Sequence, residues 1–212
     1  MAQRTIHYLF GEMIADAVGI NDRERFLLGS VMPDAIEAKD RNASHFKKRT
    51  ETHDRFDFDA FRERYLDRML RDDLYLGYYM HLVEDAFYRT FVYGDGYRMP
   101  QNMDEVKRLH NDYHILNAYI VEKYGIQNIL HRNVLPADES LFEIADFHLD
   151  AFLAEMENDF TERTTGSTVF LTESMLDEFV GKYLPPAVEE VKSLKSGKTF
   201  LKASDYAYRR KG

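Results

Sequence analysis

Eight histidines and no cysteine occur in the chain, so a metal centre here must be built from imidazole nitrogen and carboxylate oxygen. The sharpest pair is His81 and Asp85. Four residues apart on a helix, they share a face one turn apart and can offer a nitrogen and an oxygen to one cation. The alternative is a structural hydrogen-bonded pair. A buried Asp needs a neutralising partner, and a metal or an arginine would serve. His110 and His114 repeat the four-residue spacing, and Asp112 lies on the opposite side of that turn. Three further residues have candidate roles. His7 is either a ligand or a core histidine bonded to backbone. Asp34 follows Pro33 and is either a ligand or a turn cap. His45 stands in Ser44-His45-Phe46. Such a set holds divalent ions and supplies activated water for hydrolysis. No Gly-x-Ser-x-Gly elbow or cysteine nucleophile competes with that reading.

The elements that must position these residues are helical. Apolar residues recur at helical spacing, and breakers are sparse at 11 Gly and 5 Pro. Residues 5–19 place Ile6, Leu9, Phe10, Met13, Ile14 and Ala17 on one stripe. A short helix is predicted over 22–29, from Asp22 to Gly29. Residues 30–54 read as a long ordered loop, a common setting for function. Helices follow over 57–70 and 72–92, the latter apolar on most faces and therefore central. Residues 93–101 read as a turn-rich connection. Further helices are predicted over 103–124, 138–161 and 172–191, with Pro185-Pro186 interrupting the last. The expected organisation is one helical domain over 1–191 and a polar, loosely held tail over 192–212.

Formal net charge is -9, from 28 Lys+Arg against 37 Asp+Glu. That excludes a general nucleic-acid binder, which needs a basic face. It leaves room for a phosphate substrate, because a bound cation reverses the local sign. The opening residues contain His7, Glu12 and Asp16 and no unbroken apolar run, so no secretory signal is expected. No stretch approaches a membrane span. The expectation is a soluble, cytoplasmic protein of open oligomeric state.

In order along the chain, His7, FLLGSVMPD over 26–34, SHF over 44–46 and LGYYMHLVED over 76–85 resemble the zinc-dependent phospholipase C family, relatives of the P1-type nucleases. The resemblance covers roughly the first 90 residues and thins out afterwards. It implies an all-α, single-domain multi-helix bundle with a zinc cleft, in which metal-activated water attacks a phosphoester. It implies one zinc on Asp34, His45, His81 and Asp85, and a second on His7 with Asp85 bridging. It further implies that Asp34 takes a proton from the attacking water. The family's third zinc uses a His about two turns after the His-x-x-x-Asp pair and a later His-x-x-x-Glu pair. Here AFYRTFV follows Asp85, and the later pair is His110 and His114. One or two ions are therefore expected, and manganese, iron or nickel would also suit His/Asp ligands. Secreted members also ligate zinc through a processed amino terminus. This chain opens Met-Ala, and that ligand is not expected.

Two other readings stand beside this one. An HD-type metal phosphohydrolase would use His53-Asp54 with an earlier His and Asp85, although the surroundings, KKRTETHDRFDFD, are strongly polar. A noncatalytic helical binding module could keep the fold and a structural ion. The expected substrate is a small phosphate ester or a phospholipid. Lys47-Lys48-Arg49 would suit its phosphate, but a solvated loop is the default account. Core packing is the default for Tyr75, Tyr78, Tyr79, Phe87, Tyr88, Phe91 and Tyr93. Glu84 is expected to face away from the ligands. No role is assigned to His131 or His148.

Overall fold

A computed structural model describes residues 2–94, 97, 98, 100–130 and 139–209. His131 and part of the 93–101 connection lie outside the described residues, as does the side chain of Tyr93. The fold is mainly α-helical with one small sheet. In chain order the elements are α1 (Arg4–Val18), α2 (Arg23–Val31), α3 (Arg41–Ser44), β1 (Lys47–Arg49), β2 (His53–Phe56), α4 (Phe58–Met69), α5 (Asp73–Gly94), α6 (Met103–Tyr124), α7 (Leu149–Thr161), α8 (Glu173–Lys195) and β3 (Tyr208–Arg209). No helix among the described residues is long and apolar enough to cross a membrane.

Local chemistry sets the helix ends. Asp22 accepts the Arg25 N–H at 3.0 Å and Asn102 accepts that of Glu105 at 3.0 Å, each satisfying a first-turn donor. Gly19, at φ 64°, closes α1 in the left-handed conformation that lets the terminal carbonyls find donors.

Helix α5 is central, with α1, α2, α4 and α8 packed against it. Its closest neighbour is α2. A Cβ added at Gly29 would sit 2.1 Å from the Leu74 carbonyl oxygen, and one at Gly77 would sit 2.0 Å from that of Phe26. Only two glycines allow the backbones this near. The same approach brings the Ser30 carbonyl to the His81 ring. Tyr75, Tyr78, Tyr79, Phe87, Tyr88 and Phe91 are buried in the core, as packing alone predicts. Phe61 stacks on Tyr78 at 4.8 Å between α4 and α5.

Several expectations need correction. Residues 30–54 are not one loop. They form a 3-10 turn over Met32–Asp34, then α3, then β1 and the start of β2. The sheet orders β1-β2-β3 antiparallel, with Lys47 opposite Phe56 and Asp54 opposite Tyr208. Gly29 does not end α2; it is a packing contact inside it. The helix predicted over 138–161 is a 3-10 turn at Ser140–Glu143 and then α7.

Pro185-Pro186 does not interrupt α8, which runs through both. The carbonyls that lose donors, on Gly181 and Lys182, belong to exposed residues open to water. Nor is the tail loose over its described residues, 192–209. Glu190 accepts the Phe200 and Leu201 N–H groups at 2.7 and 2.8 Å, Leu201 and Ala203 are buried, and β3 joins β2. Sparse apolar content hid this docking, because backbone groups make most of it.

Candidate metal centre

Four elements converge. Helix α5 supplies His81 and Asp85, α1 supplies His7, the turn after α2 supplies Asp34, and the residue capping α3 is His45. His7, His45, His81 and Asp85 are fully buried, whereas Asp34 is 13 % exposed. Phe46, next to His45, has φ 47°, the one positive φ outside glycine among the described residues. Left-handed backbone there costs about 1–2 kcal/mol and turns the chain sharply between His45 and β1. The Phe46 ring is held against Phe61 at 5.3 Å.

Each imidazole is oriented through Nδ1. His81 Nδ1 lies 2.8 Å from the Ser30 carbonyl oxygen, which can only accept, so Nδ1 carries the proton. Its Nε2 then presents a lone pair inward. His45 Nδ1 lies 3.0 Å from the Arg41 carbonyl and 2.8 Å from the Ser44 hydroxyl. His7 Nδ1 lies 2.8 Å from Glu84 Oε2. A carboxylate or carbonyl behind each ring is the usual support of a metal-binding histidine.

The inward atoms are mostly acceptors facing acceptors. His45 Nε2 is 3.3 Å from His81 Nε2, 3.2 Å from Asp34 Oδ1 and 3.6 Å from Asp85 Oδ2. His81 Nε2 is 3.9 Å from Asp85 Oδ2. A tetrahedral ion with bonds near 2.0–2.1 Å spaces its ligand atoms about 3.3 Å apart, which is the spacing at His45. A proton on His45 Nε2 could serve Asp34, but Asp85 Oδ2 and His7 Nε2 are buried with no hydrogen-bond partner. Orphaned buried polar atoms are costly and call for an explanation.

The carboxylates reach two ways. Asp34 turns Oδ1 to His45 and Oδ2 to His7, 3.9 Å from its Nε2. Asp85 turns Oδ2 to His45 and His81, and Oδ1 to His7 at 3.6 Å. The Ala2 backbone N–H also donates to Asp85 Oδ1 at 3.0 Å. The residues therefore suit one ion on His45, His81 and Asp85, with Asp34 Oδ1 beside His45. They also suit an ion on His7, Asp34 and His81, with Asp85 Oδ1 3.6 Å from His7 Nε2. Two triads meet the spacing a metal requires, His7-Asp34-His81 and His45-His81-Asp85.

Electrostatics follow the packing. Burial opposes a charge on His7, but Glu84, Asp85 and Asp34 outweigh it and raise its pKa to about 9. Burial, reinforced by the neighbouring His7 cation, pushes His81 down to about 3. Burial also pushes up Asp34 and Asp85, yet the His45 hydrogen bond at Asp34 and the attraction of the His7 cation for both hold them below the usual carboxylate range. Burial raises Glu84 despite His7.

Asp34 opens onto a cleft of about 710 Å³ whose walls include Arg41, Lys47, Tyr88 and Tyr113. His110 and His114 also line it, but they are exposed on α6 and join neither triad. Asp112 faces away from them, as its place in the turn predicts. It accepts the N–H groups of Val169, Phe170 and Leu171 at 3.0, 2.6 and 3.1 Å. His148 is on the cleft rim, 3.8 Å from Glu37. His53 and Asp54 are neighbours on β2, where successive side chains point to opposite faces. Asp54 pairs with Arg49 at 3.4 Å, and neither residue joins a triad. Glu84 is the residue that sequence reasoning missed. Adjacent positions on α5 are about 100° apart, but the His7 ring, arriving from α1, reaches Glu84 with one nitrogen and turns the other towards Asp85. No known protein family, curated protein or solved structure gives a significant match to this chain.

Proposed function

We propose that the protein is a metal-dependent phosphoester hydrolase of the phospholipase C and P1 nuclease type. One observation carries this reading. His45 and His81 turn their Nε2 atoms towards each other at 3.3 Å while Asp34 and Asp85 bring carboxylate oxygens within 3.2 and 3.6 Å of His45 Nε2. Zinc is the first choice of ion, and manganese, iron or nickel would also fit these ligands. When bound, the ion would supply a nucleophile from water near neutral pH and polarise a phosphoryl oxygen.

The chain's own residues divide the remaining work. Asp85, wholly buried, is the shared ligand between the two halves of the centre. Asp34 stands at the cleft, where its carboxylate can also accept a proton from attacking water. Glu84 holds the His7 ring in one orientation. Burial of the remaining ligands keeps bulk water from competing for the ion.

The complete burial of four ligands also favours a second reading, a noncatalytic module with a structural ion. Elemental analysis and turnover of a generic phosphodiester separate the two. The enzyme reading expects bound metal and turnover, with both lost in Asp85→Asn. Metal without turnover supports the module. Less than about a tenth of an equivalent of zinc, manganese or iron, with no rise in melting temperature on adding metal, removes both readings, because tight binding to the native state must stabilise it.

A further inference from the structure

Basic side chains along the cleft fall into two kinds. Arg4 is committed to Asp159. In the run after His45, Lys48 pairs with Asp57 at 3.7 Å and Arg49 with Asp54 at 3.4 Å. Arg41 and Lys47 line the cleft and have no ion-pair partner among the described residues. They lie near the acidic centre, for Asp34 lines the same cleft.

Their placement is tied to the ligands. The Arg41 carbonyl fixes the His45 ring, so α3 carries a ligand support and a guanidinium on one residue. The left-handed turn at Phe46 separates His45, which is buried, from Lys47, which faces the cleft. Lys47 Nζ stands 5.3 Å from the Phe56 ring centroid, an apolar wall that limits its wandering.

We propose that Arg41 and Lys47 form an anion clamp that anchors the phosphoryl group of the substrate, or of the product, beside Asp34. The inference rests on the phosphoesterase reading and extends it to the residues that select an anionic ligand. Arg41 contributes a planar fork suited to two phosphate oxygens, and Lys47 a point charge. The flanking Lys48 and Arg49, engaged by acids, take no part.

The test uses the full chain, metal-loaded, with inorganic phosphate as the probe. Binding is followed by calorimetry, and metal content is measured in parallel. Arg41→Met and Lys47→Met are each expected to weaken phosphate binding about tenfold, the effect of losing one charge-assisted contact of about 1.4 kcal/mol. Metal content should stay unchanged, Lys47→Arg should restore most of the affinity, and Lys48→Met should bind as wild type. Wild-type phosphate affinity in the Arg41→Met, Lys47→Met double variant would overturn the clamp and leave the metal reading intact. Should the chain take up no metal, the metal reading falls, and the same titration on the metal-free chain still judges the clamp. Binding that depends on both cations keeps it; no binding at all overturns it.

Discussion

Buried carboxylates in two regions of this molecule live in opposite surroundings. On α8, Glu190 is fully buried and accepts from Tyr79 Oη at 2.6 Å and from the Phe200 and Leu201 amides. On α6, buried Asp112 accepts three backbone N–H groups. Donors surround both, and nothing further is required. Asp85 on α5 is as deeply buried, but it takes one backbone N–H on Oδ1 and leaves Oδ2 without a partner, facing imidazole nitrogens. A buried acid ringed by donors is a clasp, and one that faces other acceptors is a candidate ligand. Burial alone does not tell them apart; the direction of the neighbouring dipoles does.

The largest effect expected from this contrast is at the clasp. Glu190→Ala leaves a buried hydroxyl and two amides without an acceptor and should cost about 3–5 kcal/mol. Chemical denaturation should give that loss equally with and without added metal. A metal-dependent loss would mean that the two regions are coupled and that the contrast is wrong.

Next in size is the response of the centre to pH. The folded pKa of His7, about 9, lies above its unfolded value of 6.5. Its contribution to the metal-free fold is therefore complete below pH 6.5 and lost as pH rises through 9, on the order of 3 kcal/mol. An incoming ion must displace the His7 proton, so metal affinity should rise across the same window and level off above it. Melting curves of chelator-treated protein from pH 6 to 10 check the first part. A flat profile would show that His7 is not held as a cation.

The smallest effect sharpens the comparison most. Glu84→Gln keeps a hydrogen bond to His7 but removes the charge behind it. Metal affinity should fall about ten- to hundredfold, as when other supports of metal-binding histidines are altered, and the pH dependence should flatten. Competition with a chromogenic chelator measures the affinity. An unchanged value would reduce Glu84 to a packing residue.

The helices were legible because their signals are local. The helix predicted over 103–124 is α6 at Met103–Tyr124, and those expected at 5–19, 57–70 and 72–92 lie within two residues of α1, α4 and α5. The sheet was not legible. Its strands are three, four and two residues long, too short for alternation to register, and β3 pairs across more than 150 residues of chain. The docked tail was hidden for a related reason. Its anchors are backbone amides on Glu190, and a backbone amide leaves no mark in a residue pattern.

The residue sequence by itself determined that any metal ligands must be imidazole and carboxylate without thiolate, and it determined the one-turn pairing of His81 with Asp85, because helical periodicity is local. Tertiary structure alone decided the rest. The close crossing at Gly29 and Gly77 brings the Ser30 carbonyl to His81, and α1 brings His7 to Glu84. His110 and His114 remain on the cleft wall, and Lys47 is separated from its paired neighbours Lys48 and Arg49. Those outcomes depend on how distant surfaces pack, and packing is set by contacts between residues that no short window of sequence contains.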